Sequence, residues 1–401
     1  MVAPVASTKA LFTPLKVGDV TIPNRIQMSA LTRNRALNTV PTDVMTEYYT
    51  QRAQGGAGLI VSEGILISRQ GTEWEHAPGI WSSEQIEGWR KITDAVHANK
   101  SFIYAQLWHV GRVAHPDAPQ QKKAGVPVPA PSAIAARGGK FRFLEGEPGY
   151  QTPTEIKDPT VFIEQFRQAA LNAKKAGFDG VEIHGANGYL VHQFLDNTSN
   201  QRTDKWGGSV ENRSRFGLEI LKAVKTVFGK NVAIKLSPTG GYNDMGMTLE
   251  DTLETFRYFI SQADKLGLAY ITLARYSAMM DVTFDGKTRG TQHDVLESYR
   301  SSIKKSLLFL NVGLTAEEGA KLIQERKIDG ATYGLPWIMH PDFALRARLG
   351  QALDNEPNWM LMQIGEGEDL EKWGAGYTDY PALNKAPSPG WFKRLSGVFR
   401  H

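Results

Sequence analysis

Eight short apolar segments, rich in residues that favour β-strands, recur along the chain with helix-like segments between them. Near-continuous apolar runs are typical of parallel strands covered by helices on both faces, and their alternation with helices indicates βαβ units. Eight such repeats are the number found in a (β/α)8 TIM barrel, so we predict this α/β fold. The predicted strands are IQMSAL (26–31), GLIVSEG (58–64), FIYAQLWH (102–109), GVEIHG (180–185), VAIKLSP (232–238), AYITLAR (269–275), LLFLNVG (307–313) and GATYGLP (330–336).

A doubly wound open sheet would also alternate strands and helices, and it is the rival architecture. A dinucleotide-binding sheet of that kind carries G-x-G-x-x-G after its first strand, whereas SALTRNR (29–35) follows the first strand here. The barrel is therefore favoured.

The length of the chain leaves room for additions to the barrel. It has 401 residues, against the ~250 that an ordinary barrel of this type needs. We expect residues 11–24 to form a hairpin that closes the barrel floor, and residues 110–158 to form a long excursion that caps the barrel after the third strand. Since no linker or second hydrophobic core is evident, we interpret residues 1–401 as a single domain.

The composition excludes several classes of function. The chain has no cysteine, which rules out disulfides, thiolate nucleophiles and iron–sulfur clusters. Its net charge of +4 comes without a basic run of the kind that binds nucleic acid. The N-terminus has no apolar core of a signal peptide, and no stretch approaches the ~18 apolar residues of a membrane span. We expect a cytoplasmic protein that contacts neither nucleic acid nor membrane.

Polar and aromatic residues stand where the predicted strands end. In barrels of this type, active sites lie at the C-terminal ends of the strands. The residues at these ends include neither a carboxylate pair nor a metal-binding cluster, which argues against glycoside hydrolysis and metal-assisted hydrolysis, and we predict no metal site. They are Thr32, Glu63, Gly64, Gln106, Trp108, His184, Asn187, Lys235, Arg275, Gly313 and Gly334.

The segment HGANGY (184–189) is the most informative of these strand ends. His184 and Asn187 can face the barrel mouth together, and two converging donors form a clamp for a carbonyl oxygen. A phenol such as that of Tyr189 stays protonated at neutral pH and can donate a proton to a developing carbanion. The alternative is that each of the three side chains is only a packing residue at the barrel mouth.

Several longer segments resemble the Old Yellow Enzymes, FMN-dependent ene-reductases that have a (β/α)8 barrel. The resemblance covers nearly the whole chain. It is carried by EYYTQRAQGGAGLIVSEG (47–64), APGIWSSEQIEGW (77–89), AQLWHVGR (105–112), VEIHGANGYLVHQFLDNTSNQRTDKWGGSVENRSRF (181–216) and GYTDYP (376–381).

The resemblance implies a reaction in two halves. NADPH gives a hydride to FMN and leaves, and an α,β-unsaturated carbonyl compound or nitroalkene then accepts the hydride at Cβ. By position, His184 and Asn187 match the pair that holds the substrate oxygen, and Tyr189 matches the proton donor to Cα. The flavin contacts implied are Thr32 with Ala30 beside it, Gly64, Gln106, Lys235, and the backbone at Gly313 and Gly334. Trp108 and Tyr377 would line the substrate pocket.

Two positions depart from the family pattern. Lys235 stands where the family usually has an arginine near the flavin ring; lysine keeps the charge but loses the planar fork. Leu335 stands where the family commonly has an arginine that pairs with the FMN phosphate. Losing a charge-assisted hydrogen bond of ~1.5–3 kcal/mol would weaken binding by roughly 10- to 150-fold. We therefore expect FMN to bind, but less tightly than is typical of the family.

Other functions remain open from the sequence. Leu335 is compatible with a flavin-poor barrel that binds phenolic or steroid-like ligands without turnover. A pathway-specific reductase or isomerase of the same fold is a further alternative, although Tyr189 disfavours pure isomerisation. The missing dinucleotide fingerprint does not exclude NADPH, because in the resembling family the nicotinamide docks over the flavin. The sequence leaves monomer and homodimer equally open.

Overall fold

A computed structural model of the protein describes residues 3–72, 74–138, 149–362 and 372–383. The eight predicted segments form eight parallel strands that close into a barrel, each strand bonded to the next along the chain and the eighth to the first. At this closure Tyr333 pairs with Met28. The predicted (β/α)8 barrel is thus confirmed. The strands are β1 Ile26–Met28, β2 Leu59–Leu66, β3 Phe102–Trp108, β4 Gly180–Gly185, β5 Val232–Leu236, β6 Tyr270–Ala274, β7 Leu307–Asn311 and β8 Gly330–Tyr333.

One helix follows each strand and covers the outside of the barrel. In α2 the buried residues Trp89, Ile92 and Val96 are spaced by three and four positions, which places them on one face of the helix. Ser82 and Gln85 form a reciprocal capping box at its start, the arrangement that fixes where a helix begins. The helices are α1 Asp43–Gln54, α2 Ser83–Ala98, α3 Pro159–Lys175, α4 Val210–Phe228, α5 Leu249–Lys265, α6 Val295–Tyr299, α7 Ala316–Gln324 and α8 Phe343–Leu349.

Shorter elements lie in the connections. Within the described residues, three additional short α-helices are Pro119–Ala124, Leu190–Leu195 and Leu335–Met339. The 3-10 helices are Ala6–Phe12, Gly111–Val113, Tyr242–Asp244, Ala278–Met280, Arg300–Ser302 and Trp359–Leu361. None of the helices within the described ranges has the length and apolar character needed to cross a membrane.

A two-stranded hairpin closes the N-terminal end of the barrel, as predicted. Leu15–Val17 pairs antiparallel with Val20–Ile22, and the buried Val17 and Ile22 pack into a cluster with aromatic side chains inside the barrel. Within that cluster the rings of Tyr270 and Phe309 stack at 4.8 Å. Because this end is filled, the open end of the barrel is the one where the strands finish.

The excursion between β3 and α3 packs at that open end. Its Pro129–Ala130 pairs with Thr154–Glu155, and Arg202 of the β4–α4 connection donates hydrogen bonds to the carbonyls of Pro131 and Ile156. Residues 139–148 of the excursion lie outside the described ranges. Five buried apolar residues of the excursion cluster with Trp108 and Tyr189, so this segment forms one wall above the strand ends: Val110, Val113, Ala114, Val128 and Ala136.

Candidate active site

A cavity of about 550 Å³ opens at the C-terminal ends of the strands. This volume lies within the ~300–1,000 Å³ range of small-molecule sites. The structure brings ten of the twelve predicted site residues to its lining: Ala30, Thr32, Gln106, Trp108, His184, Asn187, Tyr189, Lys235, Gly313 and Gly334. They come from six of the eight strands or from the residues that follow them, so only the closed barrel assembles them.

A tight turn ends β4 and places its polar side chains on the cavity. Asn187 (φ +58°) and Gly188 (φ +71°) are both in the left-handed region, and the Tyr189 N–H donates to the Ala186 carbonyl across the turn. Asparagine tolerates this conformation, and glycine enters it without strain. A Cβ on Gly188 would lie 2.7 Å from the Asn243 Cβ and 2.9 Å from the Tyr242 carbonyl oxygen. The turn therefore requires glycine at position 188 and favours asparagine at position 187.

His184 is held as a neutral hydrogen-bond donor. Its Nδ1 accepts the Ala186 N–H at 3.4 Å, which leaves the proton on Nε2. Burial, the Lys235 charge and His192 lower the pKa of His184 well below its ordinary value. The imidazole is consequently uncharged at neutral pH. Its Nε2–H takes no part in the bond with Ala186 and faces no competition from it.

Asn187 is fixed through its backbone. Its N–H donates to the Ser237 Oγ at 2.8 Å, and its carbonyl accepts from the Asn243 Nδ2 at 2.9 Å. Among the described residues, no hydrogen bond engages its side-chain amide. This amide and the His184 imidazole both line the cavity, so both can donate to a ligand bound in it.

Tyr189 packs against two other rings of the site. Its ring lies edge-on to His184, with centroids 4.9 Å apart, and edge-on to Trp108 at 5.0 Å. Tyr189 is only 6% exposed and immediately precedes the short helix Leu190–Leu195. Tyr189 is therefore held beside His184 on an aromatic wall of the cavity.

A buried cation lies near the middle of the barrel. The Lys235 Nζ donates to the Ser29 Oγ at 3.0 Å. Burial lowers the pKa of Lys235, and the nearby Glu182 carboxylate opposes this shift. Gln106 donates to Glu182 at 2.8 Å, so the cavity floor carries a connected set of polar groups. Such a set can bind the carbonyl and nitrogen acceptors of a flat ring.

The end of the cavity at β7 and β8 is lined by backbone and an apolar side chain. Gly313 has φ +69°, and Gly334 and Leu335 follow β8 directly. A Cβ on Gly334 would touch only Leu31 at 3.4 Å and Ser29 at 3.9 Å. In TIM barrels the loops after strands seven and eight frequently bind phosphate. Within the described part of the chain, no cluster of three or more histidine and carboxylate residues could hold a metal.

Two predicted site residues do not line the cavity. Gly64 lies under Trp108, since a Cβ there would be 2.6 Å from the indole ring. Tyr377 is fully buried and stacks on Tyr48 at 4.0 Å, with the Arg33 guanidinium 5.1 Å from its ring centre. Gly64 thus sets the position of Trp108, and Tyr377 supports Arg33, which does line the cavity.

Sequence reasoning missed other lining residues. Trp74, Tyr242, Met279 and Met280 lie on connections between strands and helices, where periodicity gives no signal. The position of Tyr242 soon after β5 was a usable indication, because such loops form the open end of the barrel. Ser29 was missed because its role depends on Lys235, which is 206 residues away along the chain.

Comparisons with known proteins agree with this geometry. A model of the family described as "NADH:flavin oxidoreductase / NADH oxidase family" matches residues 10–354. The NADP-dependent oxidoreductase lnbE of Aspergillus flavus is 41% identical over 394 residues, which cover 94% of this chain and 97% of the relative. A probable flavin mononucleotide-dependent alkene reductase of Leishmania infantum is 36% identical, over 96% of this chain and 100% of the relative.

A third relative carries a different description. The probable inactive reductase easA of Epichloe festucae var. lolii is 38% identical over 389 residues, 94% of this chain and 96% of the relative. Among solved structures, the Old Yellow Enzyme from Trypanosoma cruzi superposes with a TM-score of 0.84 at 32% identity, covering 94% of this chain and all of that one.

Proposed function

Since the chain belongs to the NADH:flavin oxidoreductase / NADH oxidase family, we propose that it is an FMN-dependent, NADPH-driven ene-reductase. Its substrates would be small α,β-unsaturated carbonyl compounds or nitroalkenes. The observation that carries the proposal is that His184, Asn187 and Tyr189 all line the cavity, with the rings of His184 and Tyr189 4.9 Å apart. We further propose that the whole chain acts as one FMN-binding domain. A cytoplasmic location and a monomeric or homodimeric state remain predictions.

The residues of the cavity fit FMN. Lys235, Gln106 and Thr32 present polar groups around the barrel centre, and Gly313 and Gly334 leave backbone accessible at the far end. Trp108 adds a buried indole N–H that has no partner among the described residues. Bound FMN would supply the hydride chemistry, accepting a hydride from NADPH and delivering it to the substrate alkene.

His184 and Asn187 would hold the substrate carbonyl oxygen. Negative charge grows on this oxygen as the alkene is reduced, and donors that are already oriented stabilise that charge without reorganisation. His184 is suited to the task because it is neutral, and so brings no second positive charge into a site that already contains Lys235. The interaction is stronger in the transition state than in the ground state, which is the condition for rate acceleration.

Tyr189 would donate the proton to Cα. Its ring is 4.9 Å from that of His184, which supports the proposal that its hydroxyl would act on the same ligand as the clamp. General-acid catalysis of this kind contributes typically ~10²–10⁴-fold in rate.

A second candidate function is ligand binding without turnover. It is favoured by Leu335, which puts an apolar side chain on the cavity where a phosphate would be bound. One relative, 38% identical to this chain, is itself named a probable inactive reductase. A dedicated pathway reductase would differ from the main proposal only in its substrate.

Two measurements test the proposal. The purified protein should show a flavin absorption band and release FMN; a colourless protein that FMN cannot restore would support ligand binding without turnover. In stopped-flow experiments, Tyr189→Phe should leave flavin reduction by NADPH nearly intact and slow the reaction of the reduced enzyme with a cyclic enone by ~10²–10⁴-fold.

The control variant is Tyr299→Phe, which removes a phenol hydroxyl on α6 that contacts His293 rather than the cavity. It should leave both half-reactions unchanged. Equal enone rates in wild type and Tyr189→Phe would exclude Tyr189 as the proton donor.

A further inference from the structure

The β7–β8 end of the cavity lies opposite the catalytic side chains. In a closed barrel of eight strands, β4 and β8 are diametrically opposed, so a cofactor whose reactive ring faced His184 would extend toward Gly313 and Gly334. Its terminal phosphate would then lie beside the loops after β7 and β8, which bind phosphate in many barrels. The side chain that lines the cavity from the start of the β8 connection is Leu335, which carries no charge.

The two cations that line the cavity within the described residues are already engaged. Arg33 donates to the carbonyls of Met362 and Gly376, and Lys235 donates to Ser29. Neither belongs to the connections after β7 and β8. A phosphate bound there would need its charge neutralised by another group.

Arg275 lies directly behind this end of the cavity. It follows β6, and its Nη2 is 3.7 Å from the position that a Cβ on Gly313 would occupy. Glycine has no side chain to separate the guanidinium from the backbone that lines the cavity. The Arg275 Nε donates to the Val312 carbonyl at 2.9 Å, which holds the guanidinium against the same loop.

Arg275 still has guanidinium N–H donors that make no hydrogen bond within the described residues. Its hydrogen bonds to Val312 and to both carboxylate oxygens of Glu318, at 2.7 and 3.1 Å, use three of its five N–H groups. The Arg275 side chain is 32% exposed and that of Glu318 is 38% exposed, so the pair borders a second cavity of about 960 Å³ outside the barrel. Val312 and Gly313 line both cavities and form the wall between them.

We propose that Arg275 is the cation that neutralises the phosphate of bound FMN, acting across the Val312–Gly313 wall, and that Glu318 limits how much of its charge is available. The inference rests on the proposed function, because it requires FMN as the cofactor. A phosphate monoester carries more negative charge than a carboxylate and competes with Glu318 for the guanidinium. Arg275, which follows β6, thus supplies the positive charge for the phosphate that the uncharged Leu335, which follows β8, does not supply.

The test compares FMN with riboflavin, which lacks the phosphate. Dissociation constants are measured by quenching of flavin fluorescence on the flavin-free protein. Arg275→Gln should weaken FMN binding by about 10- to 100-fold, the effect of removing one positive charge a few ångströms from the phosphate across the Val312–Gly313 wall, and leave riboflavin binding within about twofold. Glu318→Gln should tighten FMN binding and leave riboflavin binding unchanged. The matched control is Arg300→Gln, which removes another arginine that lines the outer cavity but bonds to the Ile303 carbonyl.

Each outcome decides a different point. Equal weakening of FMN and riboflavin by Arg275→Gln would show that Arg275 only supports the loop, and would overturn the inference. An unchanged FMN constant, or the same loss in Arg300→Gln, would also overturn it. A wild-type protein that binds neither flavin would refute the proposed function itself, which is a distinguishable result.

Discussion

The turn after β4 can be tested with a single methyl group. In Gly188→Ala the new Cβ would meet three atoms at or below 2.9 Å, namely the Met245 Cγ, the Asn243 Cβ and the Tyr242 carbonyl oxygen. The left-handed backbone (φ +71°) costs an alanine ~1–2 kcal/mol, and overpacking adds ~1–3 kcal/mol. We therefore expect the free energy of unfolding to fall by about 2–5 kcal/mol.

Gly125→Ala is the matched control for this change. Gly125 has almost the same backbone conformation (φ +66°), and a Cβ there would meet nothing within 4 Å. It should lose only the ~1–2 kcal/mol of backbone strain. Urea denaturation of both variants at saturating FMN gives the two free energies, and their difference of ~1–3 kcal/mol isolates the packing contribution.

The same substitution has a functional consequence. If the turn moves to relieve the contacts, Asn187 loses its hydrogen bond from Asn243 and no longer points with His184 at one ligand atom. Binding of a phenol to the oxidised enzyme should then weaken in Gly188→Ala and stay unchanged in Gly125→Ala. Equal losses of stability in the two variants, together with unchanged phenol binding, would refute the reasoning.

Two further predictions follow from buried ionisable groups. Burial lowers the pKa of His109 to about 3, so the unfolded chain binds an additional proton below its ordinary pKa of ~6.5 and stability falls as the pH decreases. Between pH 7.5 and 5.0, wild type should lose ~2 kcal/mol more than His109→Gln in urea denaturation; parallel losses would contradict this assignment. Asp244 is buried, yet hydrogen bonds from Arg137 and the charge of Arg289 lower its pKa. The ion pairs of Asp244 with Arg137 and Arg289 join the excursion to the loops after β5 and β6. Asp244→Asn should cost ~1–3 kcal/mol at pH 7.5 and speed proteolysis within residues 276–292; an unchanged cleavage rate would show that the ion pairs do not hold the loop.

The fold was predictable because each barrel strand is a local signal. A strand buried on both faces is apolar over most of its length, and polar residues at or near its C-terminal end mark the open end of the barrel. His184, Gln106 and Lys235 could therefore be placed from the sequence. Tyr377 could not, because nothing in GYTDYP indicates that its ring stacks on Tyr48 rather than on a ligand. The bond between Lys235 and Ser29 spans the barrel and depends on its diameter, which no local pattern encodes.

Lys235 connects the cofactor and substrate parts of the site through its charge. Its Nζ donates a hydrogen bond to Ser29, and its charge interacts with the Glu182 carboxylate. The same charge helps to keep the His184 imidazole neutral. A protonated His184 would place a second cation beside Lys235 in a buried site, where like charges are costly. The neutral imidazole avoids this cost and still offers its Nε2–H. The arrangement therefore lets the proposed carbonyl clamp act independently of pH across the neutral range, while the positive charge stays on Lys235.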